Sequence, residues 1–365
     1  MAKRVSVDKT LFTVTLLLVF IGLVMVFSAS AVMAKEDPRF GSPYYFVWRQ
    51  MAFAVAGLAA MVATMNVDYR RYRHPATVFS LLGVTTLLLI LVFFLDRSHN
   101  VHRWIKLGSL RFQPSELAKP AIIFFLAYFL ESRSRQMDDW RRTLMPALIP
   151  ALVMSGLILL QPDLGTALVC VAIAGIMLFV AGLPLKFYAW ALAPLPLFFY
   201  FFVYRVHWRY ERILAFMNPY SDPQGRGFHV IQSLIAVGTG GFTGLGLMEG
   251  RQKLFYLPEP HTDFIFAVTA EELGLVGAIM VVLLFAIYLY RAMRAAIVVN
   301  DTFARFLATG IAAMIGVQAL FNISVVLALV PTKGLPLPFV SYGGTSLLIT
   351  LATAGVLLNI TQHTD

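Results

Sequence analysis

About ten apolar runs, each near the roughly 20 residues that cross a ~30 Å hydrocarbon core, set the terms for this chain. Within a few residues they are 11–33, 46–65, 76–95, 116–130, 143–160, 166–181, 187–203, 264–289, 306–330 and 346–360. Apolar types make up 59% of the 365 residues and charged types 13%. Ordinary soluble domains run at about 45–50% and about 25%. A soluble fold of this size could not hide so much apolar surface, so lipid is its solvent. The expected fold is an all-α integral membrane protein of about ten transmembrane helices. We read it as a single polytopic domain over 1–365, with no separate soluble domain and no internal repeat. The first run follows Lys3, Arg4 and Lys9 and precedes small residues, as in a signal peptide. It is longer than a signal core of roughly 7–15 residues and further spans follow, so it reads as a retained helix. The single cysteine, Cys170, lies in an apolar run and reads as a small core residue.

Orientation follows from Lys and Arg in the short loops. With the N-terminus inside, Arg70, Arg71 and Arg73 face the cytoplasm, as do Arg133, Arg135, Arg141 and Arg142, Lys186, and Arg291, Arg294 and Arg305. An even number of spans puts the C-terminus inside too. The net charge of +10 therefore belongs to cytoplasmic loops and does not suggest nucleic acid. Two outer segments break the pattern. Loop 96–115 carries Arg97, Arg103, Lys106 and Arg111, an excess that an anionic ligand would explain. Loop 204–263, between spans seven and eight, is long enough to imply function. Its Gly-broken apolar stretch VIQSLIAVGTGGFTGLG suits a re-entrant or interfacial segment.

The unusual polar clusters all fall on that outer side. In HRWIKLGSLRFQPSELAK, Pro114 can open a helix, Ser115 can cap it, and Glu116 and Lys119 share a face at i,i+3. Charges at membrane depth are costly, so this couple is either a mutual ion pair or a ligand-positioning wall. Arg103 and Lys106 have no acid close in sequence and stand as anion contacts. In QPDLGTA, Asp163 reads first as a helix cap, with a ligand-facing role open. In RQKLFYLPEPHTDFIFAVTAEELG, Asp263 stands at the water–membrane border before an apolar run. It could cap that helix, or act as general base toward a lipid-anchored hydroxyl held at that depth. Of Glu271 and Glu272, either could be a buried hydrogen-bonded acid and the other could line a cavity. In PTKGLPLPFVSYGGTS, Lys333 adds an outer cation, and Ser341 opens a segment whose backbone N–H groups could meet an anion or merely turn.

No histidine pair has metal-ligand spacing, and neither a phosphate loop ending in Gly-Lys-Ser/Thr nor a nucleophile elbow occurs. Metal and cofactor are therefore not assigned, and any need for a divalent cation is not readable. The residues describe an outer cavity at lipid depth, with several cations and one well-placed carboxylate. That suits a lipid diphosphate, whose leaving group cations stabilise while the carboxylate takes a proton from the attacking hydroxyl.

The segments GLVMVFSAS, RWIKLGSLRFQPSELAK, QPDLGTA, NPYSDPQGRGFHVIQSLIAVGTGG, RQKLFYLPEPHTDFIFAVTAEELG and KGLPLPFVSYGGTS, in that order, resemble the SEDS family (shape, elongation, division, sporulation) over nearly the whole chain. The run RQKLFYLPEPHTDF looks more like the cell-division FtsW branch, with the sporulation relative SpoVE, than the elongation RodA branch. Thr239, Phe228 and Thr345 depart from the family's usual Ser, Tyr and Ser. The resemblance implies a peptidoglycan glycosyltransferase that polymerises lipid II, the undecaprenyl-diphosphate-linked disaccharide pentapeptide, with inversion. It implies that Asp263 is the family's essential aspartate, and that Glu116 and Lys119 are its cavity pair. It implies a class B penicillin-binding protein transpeptidase as partner, other divisome membrane proteins nearby, and a place in the bacterial cytoplasmic membrane at the septum. Arg103, Lys106 and Lys333 are candidate diphosphate contacts on charge and side alone. Two rivals are a lipid II flippase and a non-enzymatic division scaffold.

Overall fold

The computed structural model describes residues 7–96, 102–108, 110–133, 138–254 and 256–363. The charged positions Lys3, Arg4, Arg97 and Arg135 lie outside them. Thirteen α-helices are described: α1 Lys9–Glu36, α2 Tyr45–Asn66, α3 Pro75–Leu95, α4 Pro114–Arg133, α5 Met145–Leu160, α6 Leu164–Val180, α7 Leu185–Leu192, α8 Leu195–Phe199, α9 His207–Met217, α10 Phe228–Thr239, α11 Ile265–Val298, α12 Thr302–Val326 and α13 Gly344–Thr361. A small antiparallel hairpin, β1 Ile105–Leu107 and β2 Leu110–Phe112, is the one departure from an all-helical expectation among the described residues.

Eight segments are long and apolar enough to cross a bilayer, among them Trp140–Leu160, which contains α5, and Leu185–Tyr204, which joins α7, α8 and a π turn. The other two expected spans are α4, whose apolar run is interrupted by Glu116 and Lys119, and α6, which has 17 residues. The chain is a multi-pass membrane protein. Of these eight, α12 and α13 are the most buried, with 72% and 83% of their apolar windows inside the protein, whereas Leu185–Tyr204 buries 6% and faces outward. Pro194 and Pro196 break that span, because proline cannot donate within a helix.

Both chain ends meet at one end of the bundle. The Asp8 N–H donates to Thr361, Asp8 pairs with Arg291 at 2.5 Å, and Asn359 accepts from the Tyr69 N–H. α11 runs past 289, the expected end of its apolar run, through Arg291 and the exposed Arg294, because arginine is a good helix former and its charge need not end a helix.

At the opposite end two irregular segments complete each other. Gly274 leaves helical geometry at φ 65°, splitting α11. The Gly-rich turn after α10 packs onto that break. The N–H groups of Leu245 and Gly246 donate to the carbonyls of Glu271 and Glu272, and those of Leu275 and Val276 donate to Gly241 and Phe242. Broken backbone at this depth needs internal partners, and here each break supplies the other's. A Cβ on Gly240 or Gly244 would lie 2.0 or 2.1 Å from α11 carbonyl oxygens, so only glycine allows the approach.

Candidate active site

A cavity of about 710 Å³ opens at the end away from the chain termini. Arg103, Asp163, Glu116, Asp263 and Lys333 all line it. They come from four separate stretches of sequence, Arg103 and Glu116 sharing one.

Arg103 enters from the stem of the hairpin. The Asp96 carboxylate accepts the backbone N–H groups of Arg103 and Trp104 at 3.0 and 3.1 Å, which fixes the chain. The guanidinium donates to the carbonyls of Gln161 and Pro162 at the end of α5. Its charge is anchored on carbonyl dipoles, with no acid among the described residues in its hydrogen-bond set. Asp163 does cap α6, accepting from the Thr166 N–H at 3.3 Å and hydroxyl at 2.8 Å. It also faces the cavity, where Lys333 Nζ stands 3.4 Å away. A Cβ on Gly165 would come within 2.6 Å of the Lys333 side chain, so Gly165 leaves the slot that its stem occupies. Burial brings the Lys333 ammonium down to about 8. Asp163 opposes that shift, while Arg103 and Arg212 reinforce it.

Asp263 is not a cap. The residue before α11 is Phe264, and no side chain caps it. Among the described residues no hydrogen bond reaches the Asp263 carboxylate. Burial, with Glu259 and Asp163 nearby, pushes it up to about 6; Arg212 and Lys333 pull the other way. A carboxylate held there is a stronger base than an ordinary aspartate and still ionised at neutral pH.

Glu116 and Lys119 realise both readings in part. They pair at 2.9 Å, each 3% exposed, and Lys119 also donates to Gln318 at 2.7 Å. Glu116 faces the cavity while Lys119 lies behind it. The cap expected from Ser115 fails. The helix starts one residue earlier at Pro114, and the Ser115 hydroxyl is buried without a partner.

Other expectations are moved. Lys106 is exposed on the hairpin and is not in the cavity wall, which its cross-strand neighbour Arg111 joins. Ser341 is not in the wall either. Its hydroxyl donates to the Thr262 carbonyl at 2.6 Å and accepts the Leu337 N–H at 2.7 Å, so it braces two loops. Neither Glu271 nor Glu272 lines the cavity. Glu271 accepts the N–H groups of Arg251 and Gln252 at 2.8 and 3.1 Å, and Glu272 pairs with Lys253 at 2.6 Å beside Ser28.

The cavity also holds residues that sequence reading missed. Arg212 lies on α9 one turn after Trp208, over whose ring its guanidinium sits at 5.1 Å. The i,i+4 spacing in HWRYERIL carried that signal. Arg49 lies within the second apolar run, donates to the Tyr45 hydroxyl at 2.5 Å, and gave no local signal. A second cavity, about 360 Å³, approaches from the α9–α10 side and shares Trp208, Arg212, Glu259, Asp263, Lys333 and Gly334 with the first. Asp263 is one of the six residues in the wall that both share.

The family of cell-cycle proteins FtsW, RodA and SpoVE matches residues 8–365. The chain belongs to this family. Among its relatives, the probable peptidoglycan glycosyltransferase FtsW of Geobacter metallireducens is 43% identical, covering 98% of this chain and 95% of its own. Stage V sporulation protein E of Bacillus subtilis is 44% identical, covering 99% and 98%. Solved structures agree with the fold of this FtsW/RodA/SpoVE member. A chain of a peptidoglycan synthase complex that coordinates polymerization and crosslinking matches with TM-score 0.79 at 34% identity, covering 99% of both chains. The rod-shape-determining protein RodA of Thermus thermophilus matches with TM-score 0.70 at 31% identity, covering 99% of this chain and 98% of that one.

Proposed function

We propose that this peptidoglycan glycosyltransferase polymerises lipid II on the outer face of the bacterial cytoplasmic membrane, in the septal branch of wall synthesis. The observation that carries the reading is that two cavities share a wall holding Asp263, a carboxylate with no hydrogen bond among the described residues, together with Lys333 and Arg212. Polymerisation needs two lipid-linked substrates at one reacting centre, and two cavities supply the room. The attacking 4-hydroxyl of the acceptor gives its proton to Asp263. Arg103, Arg212 and Lys333 balance the charge that develops on the departing diphosphate. Glu116, pinned by Lys119, shapes the wall opposite. The whole chain works as one polytopic unit, with the stretch 204–263 carrying the acid.

A class B penicillin-binding protein is the proposed partner, since the products of polymerisation are the substrates of cross-linking, and a structural relative belongs to a complex that couples the two. The experiment is a polymerisation assay with purified protein and lipid II, with and without that transpeptidase. Wild type forms glycan strands. Asp263→Asn inserts normally and forms none. An Asp263→Asn protein that polymerises at the wild-type rate removes Asp263 from the mechanism. A wild type that moves lipid II between leaflets and makes no polymer returns the flippase reading.

A further inference from the structure

Three successive carbonyls in the segment carrying Asp263 are each held from outside it. His261 O accepts the Tyr342 N–H at 2.9 Å, Thr262 O accepts the Ser341 hydroxyl, and Asp263 O accepts Asn322 Nδ2 at 2.8 Å. Asn322 differs from the other two. It comes from the membrane helix α12, is 1% exposed, and uses its second amide hydrogen on Leu335 O at 2.6 Å. One side chain therefore ties the Asp263 segment to the loop that carries Lys333. Its own Oδ1 is buried and accepts nothing among the described residues. An unmet buried acceptor costs free energy, and the two donated bonds offset it. The opposite amide orientation would set that oxygen against two carbonyl oxygens, which fixes the assignment.

The spacing that Asn322 sets is tight on its far side. A Cβ on Gly334, next to Lys333, would stand 2.2 Å from Asp263 Oδ2. The backbone at Gly334 thus presses on the carboxylate while Asn322 holds both chains from behind. One turn earlier on α12, Gln318 repeats the device, donating to Pro336 O at 2.8 Å and accepting from Lys119.

We propose that Asn322 is a positioning residue for glycosyl transfer: it fixes the gap between the Asp263 carboxylate and the Lys333–Gly334 backbone. The inference rests on Asp263 acting as the base. Misplacing a reacting group by about 1 Å can cost on the order of a hundredfold in rate. Arg103 and Arg212, the proposed diphosphate contacts outside this gap, come from other segments and stay in place.

The test is lipid II polymerisation by full-length Asn322→Leu, Gly334→Ala and the double variant, under conditions where wild type is active. Asn322→Leu should lower kcat on the order of ten- to a hundredfold and leave KM within about twofold. Gly334→Ala, which disturbs the same gap from the other side, should lower kcat as well. The double variant should lose less than the product of the two losses, because both open one gap. Wild-type kcat in Asn322→Leu, or losses that multiply, overturns the proposal. If Asn322→Leu does not fold, Gly334→Ala decides, and unchanged turnover there overturns it. Wild-type turnover in Asp263→Asn would instead bring down the base assignment itself, so the two failures are told apart.

Discussion

Asp263 and Glu272 open the same long helix within a few turns of one another, yet one is spent and the other is not. Glu272 is 1% exposed, paired with Lys253 at 2.6 Å, and also accepts from Ser28 and the Met248 N–H. Every oxygen is used, and the acid welds the outer loop to α1 and α11. Asp263 has no bonded partner among the described residues and faces two cavities. The cations repeat the contrast. Lys253 is consumed by Glu272, whereas Lys333 shares Asp163 at 3.4 Å and still faces open space. Two acids with similar sequence surroundings are therefore separated by what remains unsatisfied: a closed set of bonds holds structure, and an open one does chemistry.

That contrast can be broken or sharpened by experiment. The largest expected effect is on turnover in Asp263→Asn, a loss of about 10²–10⁴-fold, the range general bases supply. Lys253→Met should act on the fold. Removing one partner of a buried pair costs about 3–5 kcal/mol, so melting in detergent should fall sharply while kcat per folded molecule stays near wild type. A kcat loss without destabilisation would erase the division between the two acids. Arg103→Ala comes next. Loss of a charge-assisted contact to a diphosphate is worth about 1.5–3 kcal/mol, or roughly ten- to a hundredfold in kcat/KM. Unchanged substrate use would leave Arg103 as a brace for the end of α5.

The pH profile of kcat/KM reports the free enzyme. Asp263 works ionised and lies raised at about 6, so activity falls as pH drops through that value. Lys333 works protonated and lies lowered at about 8, so activity falls as pH rises through it. The expected curve is a bell between them, and Asp263→Asn should abolish its acid limb in any residual activity. A flat profile from pH 5 to 9 would contradict both assignments.

Much of the fold was legible because lipid imposes one simple rule, length of apolar run, which eight segments obey outright while α4, interrupted by two charges, and α6, with 17 residues, fall short of it. Boundaries failed where a helix ran on beyond its apolar run, as α11 does past 289 through Arg291 and Arg294. The site was legible in part. Asp263 stood out as an acid at a membrane border behind two prolines, and the Glu116–Lys119 pair was written in its i,i+3 spacing. The companionship of Asp163 with Lys333 was hidden, because nothing local connects an α6 cap to a loop before α13. Lys106 and Arg111 show the limit of counting charge. Both sit on one hairpin, and only the fold chooses which of them joins the wall. Arg212 was missed, because its place depended on α9 turning Trp208 and Arg212 toward the same opening.

The central claim is that Arg103 and Asp263 share one vestibule on the outer side. Single-cysteine proteins carrying Arg103→Cys or Asp263→Cys, made with the buried Cys170 replaced by Ser, can be labelled in intact cells by a membrane-impermeant thiol reagent. Both should label from outside, and a lipid diphosphate analogue should protect both. Labelling of the two positions from opposite faces of the membrane would contradict the account.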